Sequence, residues 1–249
     1  MTIWMRIALV LGSVAIAQAA DAAEIKMMAA NAVRESLQPL ATAFTARGQH
    51  RVSIAWGGTD GVAKRIADGE VVDLVLVGGA GIDRLVVSGK LVPASRVDYA
   101  RSGVGVAVRL GMPVPDIATA EAVRATVLAA RTIGYSSGPS GAAVAELFRR
   151  LGIADAVADR VRQPPSGAQM SDLLARGEID LGFQQVSELI HAPGIRYVGP
   201  LPPEIQSITV YAAGVHAAAP EAAAAREFLA WLASPEADAT VRASGMERD

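Results

Sequence analysis

Apolar residues recur along the chain in two alternating patterns. A short apolar run over 25–30 is typical of a buried strand. After it, Val33, Leu37 and Phe44 recur at the spacing that places side chains on one face of a helix. The pattern therefore predicts a strand followed by a helix over 33–46.

The same alternation continues towards the C-terminus. Further strands are predicted at 51–56, 73–77, 103–109, 132–135, 180–183 and 207–213. Further helices are predicted at 62–68, 83–88, 142–151, 170–176 and 220–232. Strands that alternate with helices in this way are typical of an α/β fold in which mostly parallel sheets are flanked by helices.

Two Pro-rich segments, at 111–115 and 200–203, interrupt the alternation. We interpret them as signs of a second lobe that is inserted into the first. The first lobe is predicted to comprise 24–105 and 208–249, and the second lobe 106–207.

The chain must cross twice between such lobes, and the crossings are expected near 104–110 and 204–210. Two short crossings form a hinge, and the space between the lobes forms a cleft. The predicted fold class is thus a two-lobed α/β fold with an interlobe cleft, which suits a ligand that becomes enclosed when the lobes close.

The segment 1–23 has the pattern of a cleavable secretory leader. Arg6 lies before a short apolar run over 7–17, and Ala-Gln-Ala at 17–19 fits a small-x-small cleavage site, with 20–22 as a second choice. The chain has no cysteine, so we expect neither disulfides nor a lipid-modified cysteine anchor. We therefore expect an exported, periplasmic protein that is not lipid-anchored.

The charge and the histidines exclude several functions. A formal net charge of −2 over 249 residues gives no basic surface to attract nucleic acid. His50, His191 and His216 have no metal-ligand partner at helical or turn spacing, so no metal and no cofactor is predicted. Gly-Pro-Ser-Gly-Ala at 138–142 lacks the second glycine of a nucleophile elbow, which argues against a hydrolase. We expect a monomer.

Small or polar residues follow four of the predicted strands, at 30–32, 58–61, 136–141 and 184–185. In parallel α/β sheets, ligands collect at the carboxyl edge of the strands. The first three segments open helices, whose N-termini present unpaired N–H groups and a partial positive charge. We therefore predict an anion site there, with the candidate contacts Asn31, Ala32, Thr59, Asp60, Tyr135, Ser140, Gly141, Gln184 and Gln185.

These residues also have purely structural interpretations, which the sequence leaves open. Asp60 fits the first turn of a helix, where it would face water with Lys64 four residues on. Asp73 is expected to hydrogen-bond a neighbouring turn rather than to bind a ligand. The other candidates fit turns, a strand end or half-buried packing: Asn31, Tyr135, Ser140, Gly141, Gln184 and Gln185.

Four segments carry a resemblance to a known family: 25–46, 58–77, Val-Asp-Tyr-Ala-Arg at 97–101, and Phe-Leu-Ala-Trp-Leu-Ala-Ser-Pro-Glu-Ala at 228–237. They resemble the type II periplasmic solute-binding proteins of ABC importers, and in particular the molybdate-binding branch. The resemblance implies two lobes, a hinge and an oxyanion such as molybdate, which hydroxyls and backbone N–H groups hold in the cleft. It also implies a membrane permease as a partner.

The chain departs from that branch at the side chains that would hold the oxyanion. The branch supplies a serine hydroxyl from each of the first two segments, where this chain has Ala-Asn-Ala at 30–32 and Asp60, and a tyrosine hydroxyl where it has Gln185. Ser140 and Gly167 align with contacts that backbone N–H groups make. A carboxylate would repel a compact oxyanion, whereas amides both donate and accept, so an organic polycarboxylate is the preferred ligand.

Shorter segments at 135–141, 182–188 and 198–202 resemble a molybdate-related subgroup that includes exported aconitate isomerases. This resemblance implies a tricarboxylate and a shift of its double bond, for which Asp60 is the candidate catalytic base. The leading hypothesis is the capture of a small anion for an ABC importer. The alternative hypothesis, an aconitate-isomerase-like enzyme, stays open.

Overall fold

The computed structural model describes residues 22–48, 50–165 and 168–248, so the predicted leader lies outside the described residues except for 22 and 23. The strands are β1 (Glu24–Ala30), β2 (Arg51–Gly57), β3 (Leu74–Gly78), β4 (Val97–Arg109), β5 (Ile133–Tyr135), β6 (Val161–Arg162), β7 (Leu181–Gln185), β8 (Ile195–Pro200) and β9 (Ile208–Val215). The helices are α1 (Arg34–Ala46), α2 (Thr59–Ala67), α3 (Gly79–Val87), α4 (Ala120–Ala129), α5 (Pro139–Arg150), α6 (Ala154–Val157), α7 (Met170–Ala175), α8 (Val186–Leu189), α9 (Ala222–Leu232) and α10 (Asp238–Ala243). Short 3-10 helices lie at Asn31–Val33, Pro93–Ser95, Ala158–Arg160, Pro203–Ile205 and Pro235–Ala237.

One long strand, β4, joins two sets of strands. In the first set β1 pairs in parallel with β2 and β3, and in the second set β5 pairs in parallel with β6 and β7. β4 pairs with β9 through 97–103 and with β7 and β8 through its second half, always antiparallel. β9 also lies antiparallel to β3. The sheet is therefore mixed, because β4 and β9 run between the two sets in opposite directions and add antiparallel pairs to the predicted parallel ones.

Each set of strands has its own hydrophobic core. The first core draws residues from 25–100 and 211–246, and the rings of Phe44 and Phe228 lie 4.8 Å apart in it. The second core draws residues from 104–205, with Phe148 and Phe183 edge to face at 5.7 Å. We call the part built on the first core the first lobe, and the part built on the second core the second lobe. Burial of such large apolar side chains is the main stabilising contribution to each lobe.

The buried carboxylate of Asp73 connects three parts of the first lobe. Its Oδ2 accepts a hydrogen bond from the backbone N–H of Lys26 at 2.8 Å, and its Oδ1 accepts one from the N–H of Glu221 at 2.7 Å. The prediction that Asp73 hydrogen-bonds a neighbouring turn is confirmed, since Glu221 lies in the turn before α9. These hydrogen bonds stabilise the negative charge of the Asp73 carboxylate, which would otherwise be costly to bury.

Three helices begin about a turn earlier than the sequence pattern predicts. α2 begins at Thr59 rather than Val62, α3 at Gly79 rather than Asp83, and α5 at Pro139 rather than Ala142. The glycine-rich segments that the sequence suggested as open turns therefore form the first turns of helices. This difference decides which of their side chains face the space between the lobes.

Across the described ranges, no helix is long and apolar enough to span a membrane.

Candidate functional site

A small chamber of about 40 Å³ lies between the lobes, and we call it the chamber. The first lobe contributes Ala30, Asn31, Ala32, Gly58, Thr59 and Tyr211. The second lobe contributes Ser136, Ser137, Gly138, Pro139, Ser140, Ala168, Gln184, Gln185 and Glu188. Residues at the carboxyl ends of strands from both lobes thus face one space, at the edge where ligands collect in α/β folds.

The N-termini of α2 and α5 meet at the chamber. Their N-cap residues are Gly58 and Gly138, which carry no side chain, so neither N-cap residue caps its own helix. In α5, Pro139 has no N–H and Ser136 Oγ accepts from the N–H of Gly141, so fewer N–H groups are left than in α2. Uncapped N–H groups in a first helical turn attract negative charge, and the helix dipole adds to the attraction. Both features favour a carboxylate or another anionic group between the two helices.

The first turn of α5 is folded tightly against the residue that precedes it. Ser136 Oγ lies 2.9 Å from Ser140 Oγ and accepts a hydrogen bond from the Gly141 N–H at 3.2 Å. A Cβ atom at Gly141 would lie 1.5 Å from the carbonyl oxygen of Ser136. Gly141 is therefore needed for the close approach of this turn and does not line the chamber, whereas Ser136, Ser137 and Ser140 do.

The two glutamines at the end of β7 are both buried, but their amides have different surroundings. In the orientation that satisfies both ends of its amide, Gln185 accepts from Thr209 Oγ1 at 2.8 Å and donates to the carbonyl oxygen of Ser102 at 3.0 Å. Gln184 donates to Gln169 Oε1 at 3.1 Å, whereas its own Oε1 is buried without a hydrogen-bond partner in the described part of the chain. Gln184 thus presents an unused acceptor at the chamber, and Gln185 connects the chamber to β4 and β9.

Glu188 and Tyr211 are the ionisable residues that line the chamber, and the sequence interpretation proposed neither of them. Burial raises the pKa of Glu188 from its ordinary value of 4.5 to about 7, and hydrogen bonds with Gln184 and Gln169 oppose the rise. Burial and the nearby charge of Glu188 raise the pKa of Tyr211 well above its ordinary value. A carboxyl group that changes charge near neutral pH therefore lies at the centre of the site.

A larger cavity of about 820 Å³ adjoins the chamber, and we call it the outer cavity. Asn31, Gly58 and Glu188 line both spaces. The outer cavity also holds Arg34, whose guanidinium carbon lies 4.7 Å from the centre of the Trp56 ring. The cavity gives the chamber an extension with room for an organic skeleton.

The positive charge of Arg34 is not neutralised by a neighbouring acid. Its Nη2 donates to the amide oxygen of Asn31 at 3.2 Å, and among the described residues no carboxylate forms an ion pair with it. Arg65 lines the same cavity, but Glu70 accepts from its Nε at 2.6 Å and from its Nη2 at 2.5 Å. Among the described residues, Arg34 is therefore the cation in this cavity that remains available to an anionic ligand.

The structure brings six of the predicted contacts together at the chamber: Asn31, Ala32, Thr59, Ser140, Gln184 and Gln185. Tyr135 does not line it, because its ring packs edge to face on Phe148 at 5.9 Å. Gly167 lies outside the described residues.

Asp60, the candidate catalytic base, lies outside the chamber. Its side chain is 64% exposed, and its Oδ1 lies 3.7 Å from Nη2 of Arg84 on α3. Because α2 begins at Thr59, Thr59 faces inward and Asp60, the next helical residue, points to the surface. Its environment matches the structural interpretation of a first-turn residue in water, with Arg84 rather than Lys64 as the charged neighbour.

Over the described ranges no group of three or more His, Asp or Glu side chains is placed to hold a metal ion. His191 Nδ1 lies 3.5 Å from Glu35 Oε2 at the edge of the outer cavity, where half of each side chain is exposed.

Comparisons with known proteins agree with this architecture. A family model described as "Bacterial extracellular solute-binding protein" matches residues 25–247. An aconitate isomerase from Pseudomonas sp is 32% identical over 246 residues, which cover 96% of this chain and 94% of that protein. The molybdate-binding protein ModA of Azotobacter vinelandii is 26% identical over 188 residues, which cover 74% of this chain and 73% of that protein.

Among solved structures, the periplasmic molybdate-binding protein of Azotobacter vinelandii matches with a TM-score of 0.79 and 24% identity. The match covers 90% of this chain and 99% of that chain. The predicted two-lobed α/β fold class is confirmed.

Proposed function

Because the chain belongs to the bacterial extracellular solute-binding protein family, we propose that it captures a small organic polycarboxylate between its lobes for an ABC importer. The leader predicted at 1–23 and the lack of cysteine support a free periplasmic protein. One observation carries the proposal. The chamber adjoins an outer cavity that holds Arg34, and among the described residues no carboxylate forms an ion pair with Arg34.

The two spaces suit different parts of one ligand. A chamber of about 40 Å³ has room for a group the size of one carboxylate, held by the N-termini of α2 and α5. The outer cavity has room for the remaining carbon skeleton, and Arg34 is the partner for a second carboxylate. A compact oxyanion would fill only the first space and leave Arg34 unpaired.

Glu188 also favours an organic ligand over a compact oxyanion. When Glu188 is ionised, a divalent oxyanion in the chamber would lie against its negative charge. Two like charges about 4 Å apart repel by ~4 kcal/mol at the effective dielectric constant of a protein surface. A carbon skeleton separates the carboxylates of a ligand, so that they meet helix N-termini and Arg34 while a methylene group faces Glu188.

A ligand panel tests this proposal. We expect cis-aconitate, trans-aconitate and citrate to raise the melting temperature, whereas molybdate, tungstate and sulfate do not, because a ligand at 100 times its Kd stabilises by ~2.7 kcal/mol. Tryptophan emission should change with the same ligands, since Trp56 lines the outer cavity. Trp56→Phe is the control, because it should lose the emission change and keep the thermal shift. Stabilisation by molybdate alone would contradict the proposal.

A second candidate function is the interconversion of aconitate isomers. The observation that favours it is the identity of 32% with a protein named as an aconitate isomerase over 96% of this chain. Incubation of the purified protein with either isomer, followed by proton NMR, tests this candidate directly. Appearance of the other isomer supports it, and tight binding without interconversion leaves capture as the function.

A further inference from the structure

Glu188 occupies a position that no other described carboxylate shares. Among the described residues it is the one acidic side chain on the wall of the chamber, and it also lines the outer cavity, so a ligand that spans both spaces must pass it. It lies on α8, a helix of four residues that follows directly on the strand carrying Gln184. The hydroxyl of Ser187 donates to the carbonyl oxygen of Ala32 at 2.7 Å, which fixes α8 against the first lobe.

The shift of a double bond along a tricarboxylate needs a group with these properties. A base must take a proton from the methylene carbon, and the electron pair of that C–H bond forms the new double bond. The former double bond opens, and its far carbon then receives the proton back. The substrate and product have the same atoms and electrons, so one base that accepts and returns a single proton completes the reaction without a further reactant.

We propose that Glu188 removes and returns this proton, and that the chamber and Arg34 hold the carboxylates on either side of it. The inference rests on the second candidate function, isomerisation. During the shift, negative charge develops on the carboxylate conjugated with the reacting carbons. The N-termini of α2 and α5, whose N-cap residues are Gly58 and Gly138, are placed to stabilise that charge.

The surroundings of Glu188 fit a group that cycles between two protonation states. Burial holds its pKa at about 7, so both states are populated near neutral pH. The unused Oε1 of Gln184 is an acceptor for a protonated carboxyl, and Gln184 and Gln169 counteract the rise in the pKa of Glu188 that burial causes. The titratable or charged groups that line the same two spaces are Arg34, Glu35, Arg65, Asp172, His191 and Tyr211.

The test compares Glu188→Gln with the unchanged protein on cis- and trans-aconitate. The amide keeps the shape and removes the base, so we expect interconversion to fall at least ~100-fold while the Kd for aconitate stays equal or becomes tighter. In D₂O the unchanged protein should introduce deuterium into the methylene group to the extent that the protonated Glu188 exchanges with solvent before it returns the proton, and Glu188→Gln should introduce none. The value of kcat/KM should increase as pH rises through about 7, because the base must be ionised.

Two control variants separate this role from a general effect of losing a carboxylate. Glu178→Gln removes a surface carboxylate that accepts from Arg176 Nε at 2.5 Å, and it should leave turnover unchanged. Asp60→Asn should also keep turnover within about threefold, because Asp60 lies outside the chamber. Loss of turnover in Asp60→Asn together with its survival in Glu188→Gln would overturn the assignment.

The remaining outcomes are also decisive. Turnover or deuterium exchange by Glu188→Gln within threefold of the unchanged protein overturns the inference. Binding of aconitate by the unchanged protein without exchange or turnover also overturns the inference, but it leaves the proposed capture intact. Failure to bind any polycarboxylate contradicts the proposed capture itself.

If Glu188→Gln does not fold, the variant Glu188→Asp provides the test. Partial turnover that rises with pH supports the role of Glu188, and full turnover at every pH contradicts it.

Discussion

Arg34 and Arg65 carry the same charge and line the same outer cavity, yet their surroundings differ. Glu70 holds the guanidinium of Arg65 with two hydrogen bonds. Arg34 stacks on Trp56 and donates to the neutral amide of Asn31. A guanidinium that stacks on an aromatic ring keeps its outer N–H groups free for a carboxylate. The two arginines therefore provide a matched pair for testing where a second carboxylate binds.

We predict that Arg34→Gln weakens the binding of cis-aconitate at least ~10-fold, because it removes a charged hydrogen-bond partner from a cleft that closes. Arg65→Gln should change the Kd by no more than about threefold, since the charge of Arg65 is already balanced by Glu70. Isothermal titration calorimetry measures both values. Equal affinity in Arg34→Gln and the unchanged protein would remove Arg34 from the ligand site.

The sequence identified the residue types of the site better than their roles. Asn31, Gln184 and Gln185 were predictable because polar residues at the carboxyl ends of strands stand out against apolar surroundings. Glu188 was missed because four helical residues are too few to produce a periodic pattern. Arg34 was missed because one exposed arginine on a helix is ordinary until the opposite lobe is known. The roles of Glu188 and Arg34 depend on neighbours that are distant in the sequence, and a local pattern does not reveal such neighbours.

At the scale of elements, the start of a helix decided which candidates reach the chamber. The strand–helix alternation was predictable from hydrophobic spacing, and β1, β2, α1 and α9 agree with their predicted positions within about two residues. Gly61 and Gly141 obscured the first turns of α2 and α5, because glycine has low intrinsic helix propensity. The earlier start of α2 turns Asp60 outward and leaves Thr59 at the chamber.

The first turn of α5 offers a test of how tightly this element is built. We predict that Gly141→Ala lowers the melting temperature by more than about 5 °C, because its Cβ would lie 1.5 Å from the Ser136 carbonyl oxygen and the turn must open. Gly138→Ala should lower it by no more than about 3 °C, since the nearest atom to its Cβ is Ser136 Oγ at 3.9 Å. Differential scanning calorimetry compares the two, and equal melting temperatures would show that the turn relaxes freely.

At the scale of the whole molecule, two crossings connect the lobes and are braced against each other. Gln206 accepts from the Val104 N–H at 2.8 Å and donates to the carbonyl oxygen of Leu201 at 3.2 Å, so it links β4 to the segment between β8 and β9. Gln185 links the same crossings through Ser102 and Thr209. We propose from the sequence that the lobes divide after 105 and after 207. Short braced crossings of this kind permit a hinge motion while they limit sliding between lobes.

Closure of the lobes gives a prediction for the whole chain. The hydroxyl of Ser187 on α8 donates to the carbonyl oxygen of Ala32 at 2.7 Å, and this hydrogen bond joins the second lobe to the first. We expect the radius of gyration from X-ray scattering to decrease when cis-aconitate saturates the protein. Ser187→Ala should weaken binding about fivefold, as the loss of one hydrogen bond worth ~1 kcal/mol implies, and should reach the same closed radius at saturation.

Ser88→Ala is the matched control for that prediction. The Ser88 hydroxyl donates to the carbonyl oxygen of Leu85 at 3.1 Å, within the first lobe, so its loss should not change the Kd. Because closure couples ligand affinity to every contact formed between the lobes, a contact within one lobe contributes nothing to the coupling. If the scattering profile is identical with and without saturating ligand, the cleft is rigid, and Ser187→Ala should then leave the affinity unchanged as well.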